Sequence, residues 1–252
     1  MLHVLKRHPF SVSAQFGHCL VLTYAFDEGL LQPILPPGLV VDAFAGFGFV
    51  AIALVQTHRL RPAFLPEAFG MDLCLCGYRV FTRVAGGAGS LRGLRILRSG
   101  TDRRLMARAG NLFTHYNYRV CEVGLQERPG EIHWSVRTPA GDADLEVVAK
   151  VNGGAVPLPA GSPFMNDKDA RRFAGPLPYA FDYEAETNSL IRIRGVRPEW
   201  HPKSVAVDVR VNTFFTQEPF CRAVPVLASA FHVHDVPYRW ERGTRVPLEV
   251  SA

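Results

Sequence analysis

Short apolar runs separated by glycine and proline dominate this sequence and limit the folds that it can adopt. Segments with strand character outnumber those with helix character by about three to one. The runs that predict strands cover residues 19–26, 39–44, 49–58, 72–84, 91–97, 114–123, 131–138, 145–151, 189–197, 204–215, 226–236 and 238–241. This pattern predicts a mainly β, predominantly antiparallel structure that is closed or nearly closed, with a few short helices.

Two of the connections carry further predictions. Gly86, Gly87 and Gly89 predict the turn of a hairpin between the strands on either side. The segment RRLMARAGNLF, residues 103–113, predicts a helix that lies over the sheet with its arginines outward. The loop 59–70 carries two prolines and no periodicity, so it is a candidate lid over a pocket.

The length and composition favour one globular domain. The chain has 252 residues, of which 48% are hydrophobic, and no repeat or composition shift divides it. We therefore expect a single domain over residues 1–252. The longest apolar run, residues 44–55, is too short to cross a membrane as a helix, which takes roughly 20 residues. The basic start of the chain lacks a secretory signal, so we expect a cytoplasmic protein without a membrane partner.

The lysine and cysteine content restricts the chemistry. The net charge is +5, but most of the 28 basic residues are arginines, which cannot form a Schiff base. Only Lys6, Lys150, Lys168 and Lys203 could do so. The five cysteines lie among apolar neighbours and are expected to be reduced. The arginines between 92 and 108 form no continuous stripe and accompany no nucleic-acid-binding motif, so no nucleic-acid partner is expected.

The segment HYNYR, residues 115–119, is the most informative for function. If it is a strand, His115, Asn117 and Arg119 share one face, and Thr114, Tyr116 and Tyr118 share the other. A polar row that faces the interior would offer an imidazole, an amide and a guanidinium to a carboxylate or an enolate-like oxygen. The alternative is that this row faces water while the tyrosines pack in the core.

Three longer segments carry a family resemblance. They read YAFDEGLLQPILPPGLVVDAFAGFGFVAI, LRGLRILRSGTDRRLMARAGNLFTHYNYR and FMNDKDARRFAGPLPYAFDYEAETNSLIRI. Together they resemble the YqjF-like branch (domain of unknown function 2071) of the acetoacetate decarboxylase-like superfamily. The resemblance implies a cone-shaped, mainly antiparallel β-barrel with an internal pocket, in a branch whose activity is uncharacterised. It also implies assembly into a homo-oligomer.

The sequence departs from the decarboxylases of that superfamily at the decisive residue. Those enzymes use a lysine on a barrel strand as the Schiff-base nucleophile, but the corresponding strand here, residues 114–119, contains no lysine. Lys150 lies next to a predicted strand, where a solvated position is the simpler interpretation. The resemblance also suggests that Asp72 stands where the superfamily places an acid.

Two other motifs could bind a metal ion. Cys74 and Cys76 share a strand face with Asp72, but no second pair at ligand spacing follows, so buried apolar thiols are the favoured interpretation. His232 and His234 also share a face, yet the sequence does not supply a third ligand. We therefore predict no metal and no cofactor.

The sequence leads to two functional hypotheses and a weaker third. The first is a pocket that binds or converts a small carbonyl or carboxylate compound without a Schiff base. In it Arg119 holds the carboxylate and His115 acts as acid or base, and Asn117 orients the bound oxygen, with Tyr116 and Asp72 as further ligand-binding candidates. The second is a non-catalytic sensor or carrier of a small lipophilic ligand. The third is an interaction protein whose basic surface binds acidic partners.

Overall fold

The computed structural model describes residues 2–86, 91–154 and 156–248. The described residues form three α-helices, Glu28–Leu31 (α1), Arg104–Phe113 (α2) and Asp167–Ala174 (α3). The strands are Val12–Asp27 (β1), Leu39–Val41 (β2), Phe47–Pro62 (β3), Met71–Val84 (β4), Arg92–Thr101 (β5), Tyr118–Val120 (β6), Glu122–Arg128 (β7), Glu131–Arg137 (β8), Leu145–Lys150 (β9), Tyr179–Glu184 (β10), Ser189–Val196 (β11), Lys203–Ser204 (β12), Ala206–Asn212 (β13), Val226–Trp240 (β14) and Thr244–Pro247 (β15). Short 3-10 turns lie at Leu2–Lys6, Gln32–Ile34, Glu67–Phe69, Ala185–Thr187, Phe214–Thr216 and Phe220–Arg222.

The larger sheet is partly ring-like. Its strands follow the order β12-β14-β1-β3-β4-β5-β10-β11-β15, and a further pairing of β11 with β14 brings the path back on itself. That pairing joins Gly195 to Trp240 and Val196 to Arg239. Most neighbours are antiparallel, whereas β5 pairs in parallel with both β10 and β6. The ring therefore has an inner and an outer face.

The smaller sheet, in the order β13-β9-β8-β7, packs on the outer face of the ring. Strand alternation sends Leu20 and Leu22 of β1 outward, where they join a core that includes Trp134 and Val147 of the small sheet. Cys19 and Val21 of the same strand point the other way, toward the space inside the ring. This arrangement buries one face of β1 in a sandwich and leaves the other face free to line a cavity.

The structure confirms the mainly β fold with few helices and corrects it in detail. The helix predicted at 103–113 is α2, and β4 and β5 pair in antiparallel fashion as expected. Of the predicted turn residues, Gly87 and Gly89 lie outside the described residues. The strand predicted at 114–123 is wrong in its first part, because residues 114–117 are irregular and β6 begins only at Tyr118. Among the described residues, no helix has the length and apolar character that crossing a membrane requires.

Candidate functional site

The inner face of the ring encloses a cavity of about 290 Å³. Its walls come from β1, β3, β4, β5, β10, β11 and β14, with α2 and residues 8–10 of the N-terminal segment. Most of the lining side chains are apolar, among them Phe16, Val55, Leu75, Phe81, Ile96 and Met106. A space of this size and character is at the small end of ordinary ligand pockets.

One arginine lies in this apolar wall without a partner. Arg79 belongs to the inner row of β4, between Gly77 and Phe81, and lines the cavity. Within the described residues its guanidinium forms no ion pair, and its Nε is buried without a hydrogen-bond partner. Gly77 provides the room, because a Cβ there would lie 3.1 Å from Nε and 3.2 Å from Nη2 of Arg79. The cavity therefore presents a positive charge that the described residues leave uncompensated.

The other arginines of the cavity wall are occupied. Arg61 donates to the carbonyl oxygen of Leu65 at 3.1 Å and pairs with Glu67 at 3.3 Å. Arg197 lies over the rings of Trp200, at 5.3 Å, and Tyr238, at 6.0 Å. Arg79 differs from both in that its donors remain available to a bound molecule.

Two further lining residues carry buried donors without a partner in the described part of the chain. The hydroxyl of Tyr116, a residue only 5% exposed, and Nε1 of Trp200 are both buried and lack a hydrogen-bond partner among the described residues. Burial raises the pKa of Tyr116 well above its ordinary value and that of Tyr118 to about 12. Both phenols are consequently protonated at neutral pH and able to donate a hydrogen bond.

The nucleophiles and bases of the wall are neutral. Burial raises the pKa of the Cys19 thiol to about 12, so a thiolate is scarce at neutral pH. Burial also lowers the pKa of His8 to about 4, which leaves this imidazole uncharged. None of the four lysines is among the residues that line the cavity in the described part of the chain. A covalent mechanism finds no activated nucleophile in this wall.

The structure places the predicted HYNYR row away from the cavity. Tyr116 lines it together with Thr114 and Tyr118, whereas His115, Asn117 and Arg119 are not among the lining residues. The expectation that the polar row points inward is therefore wrong. The two rows alternate as expected, but the row with the two tyrosine rings faces inward, because the rings gain from burial in an apolar wall whereas the polar row would lose its hydration there.

The three polar residues of that row have other environments. Arg119, half exposed, pairs with Asp142 at 3.0 Å on the outside. Asn117 is exposed and has a φ of 51°, a left-handed conformation that turns the chain into β6. His115 is partly buried beside Asp182, and burial lowers its pKa.

Asp72 also lies outside the cavity. Its carboxylate accepts a hydrogen bond from the backbone N–H of Arg59 at 2.8 Å and lies 3.3 Å from Nδ1 of His58. The N–H of Arg59 is the main reason that the pKa of Asp72 is lowered, and His58 adds to the effect. The position anchors the loop between β3 and β4 and does not touch the cavity.

The sequence pattern indicated β4 as a strand of interest but did not identify Arg79, because the row of side chains considered there lies on the opposite face of that strand. That row groups Asp72, Cys74 and Cys76 as the polar residues of β4, but Cys74 and Cys76 pack into the core beneath the small sheet, and Cys76 also borders the cavity. The opposite row reads Leu73, Leu75, Gly77, Arg79, Phe81. A lone arginine in an apolar row, two residues after a glycine, is the signal that marks this position.

The two candidate metal-binding motifs, Cys74 with Cys76 and His232 with His234, do not form a metal site in the described residues. The register of β1 and β14 sets His18 opposite His234. Nδ1 of His18 lies 2.9 Å from Nε2 of His232. Even so, no group of three or more His, Cys, Asp or Glu in the described residues has the arrangement to hold a metal ion.

The arginines of β5 are neutralised by acidic side chains. Arg92 pairs with Asp42, Arg95 with Asp182 and Arg98 with Asp142.

Known structures share this fold. Acetoacetate decarboxylase from Legionella pneumophila superposes with a TM-score of 0.60 at 13% identity, over 94% of this chain and 88% of that one. An acetoacetate decarboxylase-like enzyme from Sphingomonas wittichii RW1 gives 0.62 at 14% identity, over 97% and 94%. The enduracididine biosynthesis enzyme MppR, complexed with pyruvate, gives 0.64 at 12% identity, over 94% and 90%. Identities this low show the fold alone.

The sequence itself matches one family. No curated protein matches the chain. The profile of DUF2071, described as an uncharacterized conserved protein, covers residues 13–237. With nearly the whole described ring inside that match, the chain belongs to the DUF2071 family and has an acetoacetate decarboxylase-like fold.

Proposed function

We propose that the cavity binds a small organic acid with an apolar body, and that Arg79 holds its carboxylate. The observation that carries this proposal is the uncompensated guanidinium in an otherwise apolar wall. A buried charge without a partner is costly, and an arginine offers two parallel donors to a carboxylate. A bound acid would supply the missing negative charge while its apolar part covers the remaining wall.

The same geometry favours ionic recognition over covalent chemistry. With no lysine among the described residues of the wall, a Schiff base has no amine to form on, and an arginine cannot replace it. If the ligand is converted, the protonated hydroxyl of Tyr116 is the group that can donate to its carbonyl oxygen. The carboxylate-binding role that the sequence suggested for Arg119 is thus proposed for Arg79, and Tyr116 keeps its proposed role in binding.

One structural relative supports this class of ligand. The MppR structure holds pyruvate, a small keto acid. A pocket of the same fold that accepts such an acid supports the proposal that a small carboxylic acid binds here.

The test is a binding screen with a charge-neutralising variant. Straight-chain and keto carboxylic acids, with the matching amides as neutral analogues, would be titrated calorimetrically into the wild type, Arg79→Met and Arg83→Met. Arg83 is exposed on the same strand and does not line the cavity. We expect acids to bind the wild type and Arg83→Met, and the Kd to rise by about 30-fold or more in Arg79→Met. Equal affinity of acid and amide, or an unchanged Kd in Arg79→Met, would contradict the proposal.

A carrier of neutral lipophilic compounds is the second candidate. The preponderance of apolar side chains in the wall favours it. It predicts that neutral lipophiles bind as well as acids and that Arg79→Met does not weaken them. The same titration separates the two functions.

A further inference from the structure

Large apolar side chains are exposed on three segments that also contribute to the cavity wall. Six of the eleven exposed large hydrophobic residues in the described chain lie on these segments: Val4, Leu5, Phe64, Phe69, Leu105 and Leu112. Phe64 is 72% exposed, Phe69 69% and Leu105 64%. We call these six residues the mouth rim. A concentration of this kind marks a contact surface more often than chance exposure does.

The three segments are neighbours in space. The ring of Phe10 packs edge-on against Phe64, at 5.9 Å, and against Phe113 of α2, at 5.0 Å. At the other end of α2, Nε of Arg103 donates to the carbonyl oxygen of Asp72 at 3.3 Å, just after the loop that bears Phe69.

The inner sides of these segments line the cavity. The lining residues they contribute are His8, Phe10, Arg61, Pro62, Met106 and Phe113. The same three segments therefore carry cavity-lining residues on their inner side and the mouth rim on their outer side.

Helix α2 adds positive charge to the mouth rim. Arg104 and Arg108 are exposed and pair with no carboxylate among the described residues, and α2 contains no acidic side chain. Leu105, Arg108 and Leu112 are spaced three and four residues apart, so they share one face of the helix. The outward side of α2 thus combines leucines with arginines.

We propose that the mouth rim and the arginines of α2 dock the protein on an anionic lipid bilayer, so that this side of the cavity wall faces the lipid. Apolar side chains that insert at the headgroup boundary, together with cations that meet acidic lipid, are the two components of such peripheral binding. The proposal concerns a surface contact and needs no membrane-spanning segment, but it departs from the expectation of no membrane partner, which considered only a spanning segment. It stands independently of the ligand proposed above.

The charges argue against a second copy of this chain as the occupant. A symmetric dimer through α2 would place the arginine-bearing face of one helix against the same arginine-bearing face of the other, since such an interface repeats the same patch on both partners. Like charges in a desolvated contact are unfavourable. An acidic lipid surface has the complementary charge and can accept all six apolar side chains.

Vesicle co-sedimentation of the full chain tests the proposal. The wild type should sediment with vesicles of phosphatidylcholine and phosphatidylglycerol, remain free of pure phosphatidylcholine vesicles, and dissociate from the anionic vesicles at high salt. Arg104→Gln/Arg108→Gln should reduce the partition coefficient by about 30-fold, because two cations no longer meet the acidic lipid. Phe64→Ser/Phe69→Ser should reduce binding to the anionic vesicles at low and at intermediate salt. The matched control is Met165→Ser/Val224→Ser, which removes two residues of 88% and 85% exposure away from the mouth rim and should bind as the wild type does.

Three outcomes would overturn the proposal. One is no sedimentation of the wild type with anionic vesicles. Another is an equal reduction of binding in the control and rim variants, which would mean that any exposed apolar residue suffices. The last is a dimer by light scattering that Leu105→Ser/Leu112→Ser converts to a monomer, which would assign the surface to a second copy. Circular dichroism of each variant establishes that it is folded.

Discussion

Replacing Arg79 by methionine should make the ligand-free protein more stable. The guanidinium lies partly buried in an apolar wall, its Nε lacks a hydrogen bond, and no carboxylate among the described residues offsets its charge. Methionine has a similar length and flexibility but no charge, so it can fill the same space without desolvating a cation. Gly77, which leaves room beside the guanidinium, leaves the same room for the thioether.

The size of the effect follows from the environment. Apolar replacement of buried ionic groups stabilises proteins by about 1–4 kcal/mol, and a partly buried group belongs in the lower half, about 1–2 kcal/mol. For a chain of this length each kcal/mol moves Tm by about 2–4 °C. The expected rise in Tm of Arg79→Met over the wild type is therefore about 2–8 °C.

Thermal and urea unfolding, followed by circular dichroism without ligand, measure this difference. An unchanged m-value would show that the denatured state is unaffected. A carboxylic acid that binds the wild type should then remove most or all of the difference, because a ligand at about 100 times its Kd adds about 2.7 kcal/mol to the wild type and, with a Kd about 30-fold higher, about 0.9 kcal/mol to the variant. If ligand-free Arg79→Met is less stable than the wild type, Arg79 has a structural partner and the reasoning fails.

Three further predictions concern stability and reactivity. Nε of Arg7 donates to Oε2 of the fully buried Glu184 at 2.8 Å. Arg7→Met removes this partner and should lower the free energy of unfolding, measured in urea at pH 7, by about 3 kcal/mol. Because this contact lowers the pKa of Glu184 from 4.5 to about 2, the deficit should persist above pH 4.5 and vanish as the pH falls toward 2. Gly110→Ala should destabilise the protein by about 1–3 kcal/mol, because the new Cβ would meet the ring of Tyr118. This cost should outweigh the higher helix propensity of alanine, so a stabilised variant would refute the contact. Cys221 is the exposed cysteine, so Cys221→Ser should abolish most labelling by iodoacetamide under native conditions, as read by mass spectrometry.

Much of the fold was predictable because it depends on patterns that repeat. The apolar runs of β3 and β4 and the arginine-rich face of α2 each involve many residues, so single exceptions do not change the outcome. The parallel pairing of β5 with β10 was not predictable from local patterns, because it joins segments distant in the chain. The parallel pairing of β5 with β6 was missed because the pattern predicts one longer strand from residue 114 to residue 123 in place of the short strand β6. The family resemblance supplied the pocket that periodicity alone does not reveal.

The site was less predictable because it depends on local exceptions. An interpretation by alternation assumes an unbroken strand, and the chain from Thr114 to Asn117 is irregular, with Asn117 in a left-handed conformation. The side chains alternate there all the same, and the difference from the prediction is that Thr114, Tyr116 and Tyr118 meet the cavity in place of the polar row. For β4 the alternation was correct, and the error lay in which of its two faces met the cavity.

Which row of β4 side chains meets the cavity depends on the packing of a second sheet, which the pattern of β4 alone does not indicate. The outward row of β4 meets the small sheet, a second layer formed by strands distant in the chain, and that layer can bury Cys76 and Tyr78 as readily as the ring interior could. Two apolar rows thus compete for two dry environments. The decisive difference is the one row member that a packed core does not tolerate, Arg79, since a charge is excluded from a sandwich core but can lie in a cavity that a ligand or water fills. The residue that looked out of place in its strand therefore identifies the cavity, and under the proposal above it also sets the charge that the ligand must carry.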